Sequence, residues 1–370
     1  MAVFEPLRRG LPNAANHVMQ GGTPIRREQR RIEGRLNVKQ KVLAIDIGGS
    51  KMIATVAEQS DESGELRYTM QDPIRAQLVN VRNIDQILEK IDELTDRLFQ
   101  TTPLAEIDRI GIAIPGLTDE RNWVFSSFSG IQNVPIVDLM EERFGKPTFI
   151  DNDVNGCALA EAMFGCGRDV DNFAWITISN GIGGGFIMDH KLYRGEFGFA
   201  AEFGHMVVEE ESDFLCGCGN YGCFEAVCAG PAIARRYAAA VSADLRLSAK
   251  DHLPEERRLT AAEIAELARK GDSIAIHVFE REGELLGRAF AWVANILNPA
   301  KIVLGGGVAM SWDLFAPTMF DAFQRRIFKR ANDRVKLEVT QLGYYAALIG
   351  AIALTVPGET PSSAWKTPAK

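Results

Sequence analysis

Two hydrophobic rhythms alternate along this chain. The stretches "VLAIDIGGSKMIATVAE" (42–58) and "FAWITISNGIGGGFIMD" (173–189) each read as an apolar strand, a glycine turn and a second strand. "RIGIAIPG" (109–116), "PTFIDND" (147–153) and "KIVLGGG" (301–307) are short apolar runs ending in polar or glycine residues, as buried strands do. Elsewhere apolar positions recur at three- and four-residue spacing. That pattern predicts helices over 83–99, 154–165, 273–298 and 343–355, with most of 229–300 helical. Strands alternating with helices imply an α/β fold. The strand–turn–strand unit occurs in both halves, which predicts two related lobes around a cleft.

Composition narrows the picture. With 370 residues, 46% of them hydrophobic, the chain can bury a core large enough for two lobes. A formal charge of −8 and a sequence pI near 5.4 argue against nonspecific nucleic-acid binding by the body of the protein. No apolar run reaches membrane-span length, and Arg8 and Arg9 precede no apolar segment, so neither a membrane span nor a secretory signal is expected. Six cysteines in so long a chain point to reduced, cytoplasmic thiols, and clustering among them to metal or catalysis. The first 41 residues carry nine Lys/Arg against three Glu, a net +6 that leaves −14 on the remainder. This basic segment is expected to be a flexible arm.

Three glycine turns follow strands: "DIGGSK" (46–51), "NGIGGG" (180–185) and "GGG" (305–307). Backbone N–H groups in such turns can hold phosphates where side chains would block approach. Neither a P-loop nor a dinucleotide fingerprint is present. One such turn alone is a hairpin. Three, with Asp46 opening the first, point to ATP, and Asp46 is suited to hold Mg²⁺ through its waters. In "DNDVN" (151–155) two carboxylates and two amides meet where a strand gives way to a helix. Capping by Asp151 or Asp153 is the plain reading. Asp153 also suits the role of base in phosphoryl transfer to an alcohol, and Asn152 and Asn155 suit a hydroxyl-rich ligand.

"EFGHMVVEEESDFLCGCGNYGCFE" (202–225) holds His205, Cys216, Cys218 and Cys223 as H-x₁₀-C-x-C-x₄-C. Three thiolates and an imidazole make a closed tetrahedral set, which favours structural Zn²⁺. Gly217, Gly219 and Gly222 between them fit a tight loop round an ion better than a core element. Such a loop would fix Glu202 and Glu225 relative to His205, so that each could accept bonds from sugar hydroxyls. Cys157, Cys166 and Cys228 read as small core residues.

The ordered set "DIGGSK", "PGLTDE", "DNDVN", "NGIGGG", "EFGH", "CGCGNYGCFE" and "LGGG" resembles the ROK family of sugar kinases and sugar-responsive repressors, within the actin-like ATPase superfamily, over about residues 41–355. The resemblance implies a ribonuclease H-like fold whose two lobes close on a hexose and ATP–Mg²⁺. Beyond the basic arm over 1–40, it implies a small lobe over 41–151, joined by the C-terminal helix near 343–355. A large lobe over 152–342 with a zinc loop at 205–223, and a disordered tail at 357–370, complete the expected organisation. By position, Asp153 would take the proton of the sugar's 6-hydroxyl, and Gly116, Asn152, Glu202, His205 and Glu225 would hold the sugar. His205 would serve zinc and sugar through different ring nitrogens. Asp46, Gly48, Gly49, Ser50 and Lys51 would lie near phosphate and Mg²⁺. Gly181, Gly183 and Gly184 would hold phosphate, with Gly305 and Gly306 near the adenosine. A homodimer is also implied. Two positions depart from the family's kinases: Ser179-Asn180 replaces the usual Gly-Thr, and "SSFSGIQNVP" (126–135) lacks the Trp common in glucokinases. Glucose is the expected hexose, with N-acetylmannosamine or fructose kinases and a non-catalytic regulator as alternatives.

Overall fold

The computed structural model describes residues 39–62, 65–126, 130–244 and 259–357. The basic arm and the tail expected at the two ends lie almost wholly outside the described residues. Strand β1 (Gln40–Ile47) pairs antiparallel with β2 (Lys51–Glu62), which carries β3 (Glu65–Met70) and β4 (Ile74–Gln77). Helix α1 (Ile84–Leu98) starts where Asn83 accepts a bond from Gln86 N, and it buries Ile87, Ile91, Leu94 and Leu98 on one face. Next come β5 (Arg109–Ile114), a small sheet of β6 (Leu117–Thr118), β7 (Trp123–Phe125) and β8 (Gln132–Val134), helix α2 (Ile136–Phe144), β9 (Thr148–Asn152) and α3 (Asp153–Phe164). β1, β5 and β9 run parallel, so the first sheet has the order β3-β2-β1-β5-β9.

The second half repeats this wiring. β10 (Phe173–Ile178), β11 (Ile182–Met188) and β12 (Lys191–Tyr193) form an antiparallel meander. Helices α4 (Phe224–Cys228), α5 (Gly230–Asp244), α6 (Ala261–Arg269) and α7 (Ser273–Leu297) precede β13 (Lys301–Gly305). Then α8 (Trp312–Arg326) and α9 (Lys329–Asn332) lead to β14 (Lys336–Val339), and α10 (Ala346–Leu354) follows. The order β12-β11-β10-β13-β14, with β10, β13 and β14 parallel, reproduces the β3-β2-β1-β5-β9 path of the first sheet, which carries β4 in addition. The doubled glycine hairpin in the sequence is therefore the visible part of a doubled sheet. No helix among the described residues is long and apolar enough to cross a membrane.

The final helix of each half packs across the other's sheet. α3 leaves β9 and lies against β10 and β11, whereas α10 leaves β14 and lies against β1 and β5. Such a helix must be apolar on all sides, and Leu348, Ile349, Ala351, Ile352 and Ala353 are all buried. Close approach needs glycine. A Cβ on Gly111 of β5 would sit 1.9 Å from Ala351 O, and one on Gly350 would sit 2.5 Å from the carbonyl carbon of Gly156. α3 and α10 thus cross with their backbones nearly touching, between the two sheets.

Candidate functional site

Asp46 lies one residue from the end of β1, and the turn after it is closed by Gly48 N donating to Lys51 O at 2.8 Å. A Cβ on Gly48 would crowd that carbonyl at 3.1 Å, while Gly49 faces open space. Gly49, Ser50 and Lys51 therefore present a short, accessible turn beside Asp46. Lys51 Nζ bonds the Tyr344 hydroxyl and sits 4.5 Å from the centre of that ring, a cation–π contact.

Asp153 opens α3. Asn152 caps the helix, its Oδ1 accepting from Val154 N at 2.9 Å and Asn155 N at 3.3 Å, while its Nδ2 donates to Gly116 O at 3.0 Å. Asp153 Oδ1 accepts from Val154 N at 3.0 Å. The capping anticipated for Asp151 or Asp153 falls to Asn152, which leaves Asp153 at the mouth of the helix. Burial pushes the Asp153 carboxyl up to about 6 against the pull of the Val154 N–H. Burial also pushes Asp46 up to about 7, with the charge of Asp153 adding and that of Lys51 opposing. Both residues are half-buried, and desolvation is the largest cause of each shift.

A shallow depression, with a cavity volume of about 30 Å³, lies beside Asn152. Gly116, Thr118, Asn152 and Asn155 form one wall, and Phe199 and Glu202 belong to the other. Gly116 has φ +97°, and a Cβ there would meet Phe125 O at 2.2 Å, so glycine is required for the backbone to turn at this wall. Desolvation raises the Glu202 carboxyl; His205 opposes it and Glu225 reinforces it. His205 Nε2 stands 3.7 Å from Glu202 Oε2. Glu225, expected among the sugar ligands, accepts at Oε2 from Ile182 N, 3.0 Å away, at the start of β11.

The other face of His205 belongs to the cysteine loop. His205 Nδ1 is 3.5 Å from Cys216 Sγ, Cys218 Sγ is 3.6 Å from Cys223 Sγ, and all four ligand atoms lie within 4.8 Å of one another. A tetrahedron with Zn–S of ~2.3 Å and Zn–N of ~2.0 Å has edges of about 3.5–3.8 Å. The donor set therefore fits Zn²⁺ in chemistry and in spacing. A hydrogen bond from the Asn220 backbone lowers the Cys218 thiol to about 7, while burial pushes Cys223 up to about 12. Cys157, Cys166 and Cys228, expected in the core, are all buried.

The family model described as "ROK family" matches residues 42–357, both sheets and the cysteine loop included. The chain belongs to the ROK family. Its fold is the two-lobed actin-like fold of ROK kinases. A glucokinase of Thermotoga maritima is 32% identical over 290 residues, which cover 75% of this chain and 86% of that protein. A ROK glucokinase from Streptomyces griseus, solved with glucose and AMPPNP, matches with TM-score 0.68 and 29% identity over 84% of this chain and 97% of the other. A ROK transcriptional regulator, a homolog of the E. coli MLC protein, matches with TM-score 0.72 and 25% identity over 85% and 77%. Sugar kinases and regulators thus resemble this ROK chain to similar degrees.

Several glycines of this ROK chain have packing reasons of their own. Gly183 and Gly184 lie within β11, where a Cβ would strike Val154 at 2.9 Å and the Phe203 ring at 2.1 Å. Gly181 alone of the three expected phosphate glycines lies in the β10–β11 turn, and a Cβ there would meet Glu225 Oε2 at 2.5 Å. Gly305 makes room for the Trp175 ring, and Gly306, with φ +86°, lies against Ile178 O. Ser179 and Asn180 are exposed at the turn, with Ser179 N bonded to Gly181 O. Residues 127–129 of the loop without the Trp lie outside the described residues. Sequence reasoning did not single out Arg194 or Tyr344, although "YRGEFGFAAEFGH" (193–205) placed Arg194 eight residues before Glu202.

Proposed function

We propose that this ROK protein is an ATP-dependent hexose kinase acting on the 6-hydroxyl, with glucose as the preferred sugar. The observation that carries the reading is Asp153: a carboxyl at a helix mouth, raised to about 6, next in the chain to Asn152, which lines the depression together with Glu202. A general base works best when its proton affinity lies near the operating pH. On this reading Gly116, Asn152, Glu202 and His205 hold the ring hydroxyls, and Asp153 accepts the 6-hydroxyl proton as the oxygen attacks the terminal phosphoryl group. Glu225 would join them, with its Oε2 also fixing Ile182 N beside the Gly181 turn.

Nucleotide phosphates would meet the backbone of the 48–51 turn and of Gly181, with Lys51 supplying charge. The charge of Asp153 adds to burial in raising the proton affinity of Asp46, and that is the donor chemistry a divalent ion relieves. Asp46 would hold Mg²⁺, which when bound neutralises phosphate charge. His205, Cys216, Cys218 and Cys223 would hold a structural Zn²⁺ that stiffens the sugar-side loop. Likeness to glucokinases supports the kinase reading, and likeness to a transcriptional regulator favours a second one, sugar sensing without turnover. A coupled ADP-release assay over glucose, fructose, N-acetylmannosamine and other hexoses tests both. ADP formed on glucose before other sugars is expected. Sugar binding without ADP on any member would replace the kinase by the sensor.

A further inference from the structure

Arg194 follows β12 and begins the segment that ends at Glu202, the second wall of the depression. Its guanidinium reaches across to the other lobe. Arg194 Nη2 lies 2.5 Å from Asp151 Oδ2, with the two side chains only 17% and 2% exposed. This is an approach of opposite charges and not an aligned hydrogen bond. Asp151 Oδ2 has no hydrogen-bond donor among the described residues, so the Arg194 charge is what compensates it. Asp151 Oδ1 accepts from Asn152 N at 2.7 Å and from Asn155 Nδ2 at 3.0 Å. One oxygen of Asp151 therefore fixes the residues around Asp153, and the other fixes the opposite wall.

The wall needs such an anchor. Ala200 N closes on Arg194 O at 3.0 Å, a bond within the segment itself. Gly195, Gly198 and Ala201 all have positive φ, +72°, +83° and +76°. Ala201 is the costly member, since an L-residue with a Cβ is strained there, and it sits immediately before Glu202. A strained backbone persists only where its surroundings hold it.

We propose that the Arg194–Asp151 pair is a positioning device that sets the wall carrying Phe199 and Glu202 against the junction carrying Asn152 and Asp153, and so sets affinity for a hydroxyl-rich ligand. The inference rests on the sugar-site reading above. Its test is equilibrium binding of a hexose panel and of a non-hydrolysable ATP analogue to the full chain, with Arg194→Lys, Asp151→Asn and the double variant. Arg194→Lys draws the charge back from Asp151 Oδ2 on a shorter side chain that lacks the planar fork. Hexose affinity should fall by about tenfold to a hundredfold in each single variant, as small misplacements at such sites cost. Analogue affinity should stay within about twofold, and the double variant should lose less than the two single effects combined. Thermal unfolding of each variant identifies any that fails to fold; Arg194→Lys, the milder change, then carries the comparison. Unchanged hexose affinity in a folded variant, or equal losses for hexose and analogue, overturns the proposal. A wild-type protein that binds none of the sugars overturns the sugar-site reading, and this inference with it.

Discussion

Gly350→Ala is the sharpest probe of the crossing between α3 and α10. The new Cβ would lie 2.5, 2.8 and 2.9 Å from the C, O and Cα atoms of Gly156, all backbone, so no side chain can swing aside. The helices must part, and overpacking of this kind costs about 1–3 kcal/mol. Alanine returns about 1 kcal/mol in helix propensity. With three backbone contacts below 3.0 Å the upper end of the penalty applies, leaving a net loss of about 2 kcal/mol. The reciprocal change is not equivalent. A Cβ on Gly156 meets Gly350 Cα no closer than 3.4 Å, ordinary contact, so Gly156→Ala keeps most of the propensity gain. Ligand-free thermal unfolding at one scan rate should show Gly350→Ala lower by roughly 4 °C or more, and Gly156→Ala unchanged or slightly higher. Gly350→Ala as stable as wild type, or Gly156→Ala the worse of the two, would refute the crossing.

Asp153→Asn should lower kcat by about 10²–10⁴ while hexose affinity stays near wild type, because the amide keeps the shape and cannot take the proton. Comparable turnover in that variant removes Asp153 from the chemistry. With Asp153 raised to about 6, kcat/KM should climb as pH passes through about 6; a flat profile from pH 5 to 8 contradicts the assignment. The raised carboxyls of Asp46 and Asp153 favour the protonated folded state, so they cost no stability below the unfolded carboxylate range and cost increasingly as pH rises towards 7. Asp46→Asn should accordingly raise Tm at pH 8 and leave it nearly unchanged at pH 4; a Tm gain equal at both pH values would count against a desolvated carboxylate. Cys218→Ser should lower the zinc content read by elemental analysis and raise the hexose KM. Full zinc occupancy in the variant would mean the four residues are not its ligands.

What could be read in the sequence was local. The hairpin holding Asp46, the strand-to-helix step at Asp153 and the H-x₁₀-C-x-C-x₄-C spacing are set by neighbours along the chain, and each is found as expected. The paired sheet order was hinted at by two glycine hairpins, but short strands such as β12 and β14 carry too few residues to declare themselves. Glycine was the least legible residue. Gly183 and Gly184 look like a phosphate turn in sequence, and only the structure adds that Val154 and Phe203, from other segments, leave no room for a Cβ there. Arg194 was illegible for the same reason, since its partner Asp151 lies 43 positions earlier in the numbering and in the other lobe. Asp151 itself was visible only as one acid among several.

Helix α10 makes the first lobe wait for residues made much later in translation. Gln59 of β2 is fully buried, and its amide is met by Ile352 O at 2.5 Å and by the Thr355 hydroxyl at 3.2 Å. Val42, Ala44 and Ala113 are covered by Leu348, Ala351 and Ile352. A ribosome adding about 5–20 residues per second needs roughly 15–60 s between making Gln59 and making those partners. Throughout that interval the nascent β1–β2–β5 face stands open, with an apolar strip and an unanswered amide, so the emerging chain is a natural client for a chaperone. Ribosome-bound chains stopped before Ala346 should be cut readily by protease within residues 40–114, whereas chains long enough to release Thr355 should resist; equal resistance would show that the lobe closes without its last helix.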